Sequence, residues 1–302
     1  MHIAIAGGSG FVGKALTEEL LKQGHDVYIL TRNRSNKTDK PGLAYIQWLN
    51  KGDRPEKQLP HIEAVINLAG TSLNSGRWTD KRKKDIVESR MTATTEVRRI
   101  MAALDRKPDV FLNASAIGYY GTSETETYTE EDVLPASDFL SETVHKWEEN
   151  TSKAQTLGIR TVFMRFGVIL DKEQGALPQI LLPFKLFAGG PIGSGSQLLS
   201  WIHIHDIVRA ALFCLEKKEI SGPVNFTAPA PATMSAFGKT AAASMHRPYW
   251  LPVPSPMLKL ALGEKSMLVL KGQRVLPKKL LDNGFKFAYP ALPKALAALL
   301  HD

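Results

Sequence analysis

The first 32 residues constrain the fold of this chain more than any other stretch. Met1 to Ala6 (MHIAIA) is a short apolar run suited to a buried strand, and Gly7-Gly8-Ser9-Gly10-Phe11-Val12-Gly13 follows at once. Lys14 to Gln23 then predicts a helix closed by Gly24, and His25 to Thr31 predicts a second strand. Strand, glycine turn, helix and strand together make the unit that binds a dinucleotide. One glycine allows a sharp turn, one lets the backbone approach a pyrophosphate, and one lets helix and strand pack closely. The helix N-terminus offers free N–H groups and a partial positive charge to phosphate. Gly7, Ser9, Gly10, Phe11, Val12 and Gly13 are therefore expected at the cofactor. The bland alternative is a glycine-rich turn that only packs.

The end of the second strand bears on which dinucleotide. A carboxylate there usually holds a ribose 2′-hydroxyl. This chain reads Thr31-Arg32-Asn33-Arg34, with no acid. Guanidinium groups suit a 2′-phosphate, often through paired hydrogen bonds. The expectation is NADP rather than NAD, held by Arg32 with Arg34 assisting.

Composition sets the outer limits. With 302 residues, the chain is long enough for one large α/β domain, or a domain plus a smaller lobe, and 43% hydrophobic content supplies a core. No apolar run is long enough to span a bilayer. The chain opens directly on a strand, so no signal peptide is expected. The single cysteine, Cys214, rules out an internal disulfide and suits a reducing cytoplasm. The net charge of +8 is gathered in short basic clusters such as Lys81-Arg82-Lys83-Lys84. These suit solvated helix faces and an anionic ligand. No nucleic-acid recognition module accompanies them.

Strand and helix patterns alternate beyond the opening. Ala64 to Leu68, Val110 to Ser115 and Arg160 to Phe166 read as strands, while Lys81 to Leu104 and Ser141 to Leu157 read as helices. Such alternation predicts a parallel sheet covered by helices on both sides, with ligands beyond the carboxyl ends of the strands. Gly70-Thr71, Ser115 to Gly121 and Arg165 to Val168 all leave strand ends, so they should converge on one cleft. Residues 171–200 are rich in Gly and Pro. Ser200 to Ile204 reads as a strand, with Asp206 placed to cap a helix from Ile207 to Lys217. Residues 221–256 suggest loops around one helix. Met257 to Leu262, Val275 to Leu281 and Leu292 to Leu300 follow as further segments. The expected fold is α/β: a doubly wound parallel sheet of Rossmann type over 1–170, rejoined by 201–220. A small C-terminal α/β substrate lobe is expected from 171–200 and 221–302.

Four motifs carry a resemblance: Gly7-x-x-Gly10-x-x-Gly13, Asn67-Leu68-Ala69-Gly70, Ala114 to Gly121 (ASAIGYYG) and Trp201 to Asp206 (WIHIHD). Together they resemble the extended short-chain dehydrogenase/reductases. The branch called epimerase family proteins is the nearer likeness, through Trp147-Glu148, the run from Gly189 to Asp206 and the segment from Arg274 to Leu296. The resemblance implies a cofactor domain with Leu68, Ala69, Gly70 and Ala114 beside the dinucleotide, and a substrate lobe. In that superfamily a Tyr-x-x-x-Lys pair moves the proton, aided by a Ser or Thr and an Asn. Here that set is degenerate. Matching Glu148 to the superfamily's usual Glu puts the Tyr position on Leu140, the Lys on Val144 and the Asn on Arg90. The Ser/Thr position is Ser115 or Ala116. His145 and Lys146 are near in sequence but are expected to point elsewhere from the helix.

Candidates for the lost roles follow. Tyr119 is a surrogate acid with no evident base beside it, and Tyr120 is a wall or packing residue. Arg90 either binds an anionic substrate group, stabilises an oxyanion, or pairs with Glu88 or Glu96. Arg77 and Trp78 either wall the substrate site or anchor a loop. Gln197 and Ser200 follow a glycine-rich turn suited to a lid, and Arg165 reaches either a ligand or a buried acid. His203 and His205 share a strand face, but two ligands do not make a zinc site, so no metal is expected. The reading is an NADP(H)-binding, epimerase-like oxidoreductase of a small polar molecule, forming a homodimer as many of the superfamily do. The alternative is a non-catalytic NADP(H)-binding redox sensor or scaffold, and a third is an isomerase that uses the cofactor only transiently.

Overall fold

The computed structural model describes residues 1–301. Its centre is a seven-stranded parallel sheet. In chain order the strands are β1 (His2–Ala6), β2 (Asp26–Thr31), β3 (Leu43–Gln47), β4 (Ala64–Asn67), β5 (Val110–Ala116), β6 (Arg160–Phe166) and β7 (Gly222–Phe226). Across the sheet they run β3-β2-β1-β4-β5-β6-β7. The order reverses between β1 and β4, which pair in register from Ile3 opposite Ala64 to Ala6 opposite Asn67. The crevice beyond such a reversal is where doubly wound sheets bind ligands.

Side-chain alternation divides the core between the two faces. Ile3 and Ile5 join Leu16, Leu20, Ile207 and Ala210 on one face, while Ala4 and Ala6 join Val97, Ile100 and Met101 on the other. Helix α1 (Phe11–Lys22) buries Gly13, Leu16, Thr17 and Leu20, a stripe at helical spacing. Helix α5 (Ile204–Glu216) lies beside it and carries the fully buried Cys214. The opposite face holds α2 (Asp80–Ala103) and α3 (Phe139–Ser152). Asp138 and Ser141 close a reciprocal cap at the start of α3.

A second core lies outside the sheet, built by Leu177 and Leu181 of α4 (Leu177–Lys185), Phe237 and Ala241 of α6 (Met234–Ser244), and Leu292 and Leu296 of α8 (Leu292–His301), around Trp201. Helix α7 (Ser255–Leu262) is different: no residue in it is buried. No helix among the described residues is long and apolar enough to cross a membrane.

Several expectations need correction. Residues 221–256 were expected to be loops around one helix, yet Gly222–Phe226 pairs with β6 as the edge strand. Its apolar residues, Val224 and Phe226, are only two and follow Gly222-Pro223, which leaves little pattern to read. Strand β3 was not expected at all. Helix α1 starts at Phe11 rather than Lys14, so the glycine turn passes straight into it. Asp206 does not cap α5: His203 does, its Nδ1 accepting from the His205 N–H at 3.0 Å. Asp206 sits within the first turn, fully buried, and accepts the Ala288 and Tyr289 N–H groups.

Candidate functional site

At the carboxyl ends of β1 and β4 the chain crowds. Gly7 adopts φ +79°, and a methyl group on it would stand 2.7 Å from the backbone carbon of Leu68. On Gly13 a methyl would stand 2.3 Å from the Gly7 carbonyl oxygen. Only glycine satisfies both positions. Ser9 and Gly10 are exposed, Phe11 and Val12 half-buried, and the first turn of α1 carries no acidic residue. Its free N–H groups therefore face no competing carboxylate. Leu68, Ala69 and Gly70 form the opposite bank, with Ala69 fixed by the Asn67 side chain at 3.1 Å. Ala114 is buried within β5, paired with Met164. Beyond β2, Arg34 is paired with Asp39 at 2.8 Å, while Arg32 is exposed with no ion pair among the described residues. Backbone donors, a helix terminus and a free guanidinium together make an anion-binding setting at these strand ends.

The next strand ends hold a buried polar network. Arg165 of β6 donates to both carboxylate oxygens of Glu148 on α3, at 2.8 and 2.7 Å, and to the Tyr120 hydroxyl at 2.8 Å. The Tyr120 hydroxyl donates to the Asn225 side-chain oxygen on β7 at 2.8 Å, and Ser115 donates to Glu148 at 2.5 Å. All five side chains are buried. Burial opposes the charge on Arg165, but the hydrogen bonds and charge of Glu148 outweigh it and raise its pKa above the ordinary range. Burial pushes the Tyr120 phenol up to about 12, against the pull of Arg165. Glu130, held by the Asn225 and Lys279 N–H groups, is likewise raised by burial.

Tyr119 lies between two groups. The His145 imidazole stacks on it at 4.1 Å between ring centres, nearly parallel, and the Arg165 guanidinium stands 3.5 Å from its centroid. The expectation that His145 points away is therefore wrong, because α3 runs directly beside the Ile117–Tyr120 turn. Leu140 and Val144 also face that turn: a methyl on Gly118 would meet them at 3.6 and 3.8 Å. Two aliphatic side chains thus stand beside the end of β5.

The remaining candidates disperse. Arg90 of α2 donates to the Thr71 and Ile86 carbonyls at 3.1 and 2.9 Å and lies over the Trp147 ring. It pairs with neither Glu88 nor Glu96. Arg77 reaches across to the Leu260 and Ala261 carbonyls of α7, and Trp78 is buried against Phe139 with its N–H on the Leu73 carbonyl. Lys83 pairs with Glu264, and Lys265 donates to the Asn74 carbonyl at 2.5 Å, so α7 is latched to the loop before α2. Gln197 is buried, donating to the Ile192 and Val269 carbonyls. Ser200 bonds the backbone of Gln273 and Val275. His203 stacks on Tyr289 at 3.9 Å, whereas His205 is exposed. The sequence reading missed Glu148, His145 and Asn225 as partners in one cluster. The Trp147-Glu148 pair was the available signal for the first.

Comparison with known proteins adds independent findings. The model of the NAD-dependent epimerase/dehydratase family matches residues 3–226, and a domain of unknown function matches residues 253–299. The chain is 50% identical to epimerase family protein YfhF of Bacillus subtilis, over all of this chain and 99% of that one. It is 42% identical to an epimerase family protein of Staphylococcus saprophyticus, over 99% of each. Among solved structures, the human epimerase family protein SDR39U1 with NADPH superposes with a TM-score of 0.88 at 31% identity, covering both chains fully. A nucleoside-diphosphate sugar epimerase of Corynebacterium glutamicum gives 0.78 at 30% identity, over 99% of this chain and 58% of that one.

Proposed function

We propose, from the premise that the chain belongs to the NAD-dependent epimerase/dehydratase family, that it is an NADP(H)-binding, epimerase-like oxidoreductase of a small polar molecule. One observation carries this reading. The glycine turn opens onto a helix terminus without acid, and past β2 an unpaired Arg32 stands where a ribose-binding carboxylate would favour NAD. The human relative crystallised with NADPH supports the same cofactor. Bound NADP(H) would supply or accept a hydride at its nicotinamide ring.

The chain's own residues do the rest. Gly7, Ser9, Gly10, Phe11, Val12 and Gly13 hold the pyrophosphate, Arg32 receives the 2′-phosphate with Arg34 beside it, and Leu68, Ala69, Gly70 and Ala114 bank the ring end. Tyr119 moves a proton at its hydroxyl, with Ser115 at the substrate oxygen. Tyr120 and Arg165 back Tyr119, while Arg77, Trp78, Gln197 and Ser200 brace the surrounding loops through their backbone contacts rather than lining one wall. Residues 171–200 and 221–302 act as the substrate lobe. The setting is the cytoplasm, and helices of the cofactor domain pair two copies.

A second reading has its own observation. Leu140 and Val144 occupy the ground beside the β5 end, and Ser115 already donates to Glu148. An NADP(H)-binding redox sensor needs no proton donor. Titration with NADPH and NADH, followed by a carbonyl panel, separates the two. Preference for NADPH by about tenfold or more, lost in Arg32→Ala, supports the cofactor assignment. Equal affinities sink it. NADPH oxidation by any carbonyl supports the enzyme, and tight binding without turnover favours the sensor.

A further inference from the structure

We infer that Arg90 is an oxyanion seat: its guanidinium waits at the end of β4 for the carboxylate or phosphate of a bound molecule. This deepens the proposed function and rests on it only for the identity of the cofactor. The geometry begins with what Arg90 already does. Nη1 is occupied by the Thr71 and Ile86 carbonyls, and the Trp147 ring lies 5.0 Å from the guanidinium carbon. These contacts fix the plane of the fork. Nε and Nη2 have no protein partner among the described residues, and neither is sealed in the interior. That free edge is the one that receives a carboxylate or phosphate through two parallel hydrogen bonds.

Charge points the same way. Three other inward guanidinium groups have acids: Arg99 has Glu56 and Glu96, Arg165 has Glu148, and Arg209 has Asp206. Arg160 has none, but both its Nη atoms are taken up by carbonyls, which leaves it no free fork edge. No carboxylate approaches Arg90. Its charged neighbour is Arg82, of the same sign, and burial together with Arg82 pushes its pKa down to about 10. The group is still a cation at neutral pH, half-buried and uncompensated. Such a charge costs stability unless an anion meets it. Its position decides which anions qualify. A methyl on Gly70 would stand 3.4 Å from Arg90 Cγ, and the Leu68 and Ala69 backbone just before Gly70 abuts Gly7 of the glycine turn. The seat therefore shares a strand end with the dinucleotide site. Its anion is either a cofactor phosphate or an acidic group of the substrate.

The test compares wild type, Arg90→Gln and Arg90→Lys by calorimetric titration with NADPH, inorganic phosphate and malonate, the malonate added with and without NADPH. Loss of one charge-assisted pair predicts weakening by about 10- to 100-fold in Arg90→Gln. A smaller loss is expected in Arg90→Lys, which keeps charge without the fork. Weakened NADPH and phosphate with unaltered malonate assigns the seat to the cofactor. Weakened malonate with unaltered NADPH assigns it to an acidic substrate. If wild type fails to bind NADPH but binds phosphate or malonate through Arg90, the seat stands and the NADP reading falls. Binding of all three probes unaltered by a folded Arg90→Gln, or binding of none by wild type, overturns the seat. Should Arg90→Gln fail to fold, unaltered binding in Arg90→Lys overturns it equally.

Discussion

Glu148 and Arg165 meet at 2.7 Å with almost no water around either. Separating such a pair is costly because the survivor keeps a buried, unmatched charge. Glu148→Gln is expected to lower the free energy of unfolding by about 3–5 kcal/mol, measured by urea titration. Pairing Glu148→Leu with Arg165→Met should recover much of that loss. A full-sized loss in the double variant would show that the pair stabilises beyond its charges. His203 gives a pH test. Burial pushes its pKa down to about 4, further lowered by His205, while Asp206 and Asp171 pull it upward. A lowered imidazole pKa means that the unfolded chain binds more protons between the unfolded value and the folded one. Stability is then full above about pH 6.5 and is lost as pH falls toward 4, by about 3 kcal/mol in all. His203→Asn keeps a capping oxygen but does not titrate. Its unfolding midpoint should fall less than that of wild type between pH 7 and 4.5. Parallel curves would exclude His203 as the source. The Glu148–Arg165 pair was half legible in sequence: a buried acid was one of two readings for Arg165, but its identity depends on α3 crossing β6.

Elements with strong periodicity were the legible ones. Helix α2 and strands β1, β5 and β6 lie where apolar spacing put them, within a residue or two. Strands β3 and β7 were not seen, because both are sheet edges with little apolar alternation. The cap of α5 went to His203 because the backbone turns into the helix three residues earlier than the Asp206 signal implied. Helix α7 illustrates a different kind of element. It buries nothing, and it is held by Arg77 on its last carbonyls, with Lys83–Glu264 and Lys265 just beyond. Arg77→Ala should leave the unfolding midpoint nearly unchanged, since these contacts are largely exposed. It should nevertheless speed hydrogen exchange over residues 255–270. Unchanged exchange there would mean the latch is redundant.

On the scale of the whole molecule, one feature gives the chain a built-in clock. Cys214 is the single cysteine, fully buried on α5 where that helix covers the sheet. Its carbonyl, with those of Leu215 and Ile220, accepts from Arg160 at the start of β6. Burial also pushes its thiol up to about 12, so the reactive thiolate is absent while the helix stays seated. An alkylating reagent must therefore wait for α5 to lift. Mass-resolved labelling should be single-site, with a rate that tracks opening of the main sheet and slows when a cofactor binds. Fast labelling at neutral pH would mean that α5 detaches without the sheet. A bound dinucleotide, touching only the far end of the strands, would then be timed by a thiol it never meets.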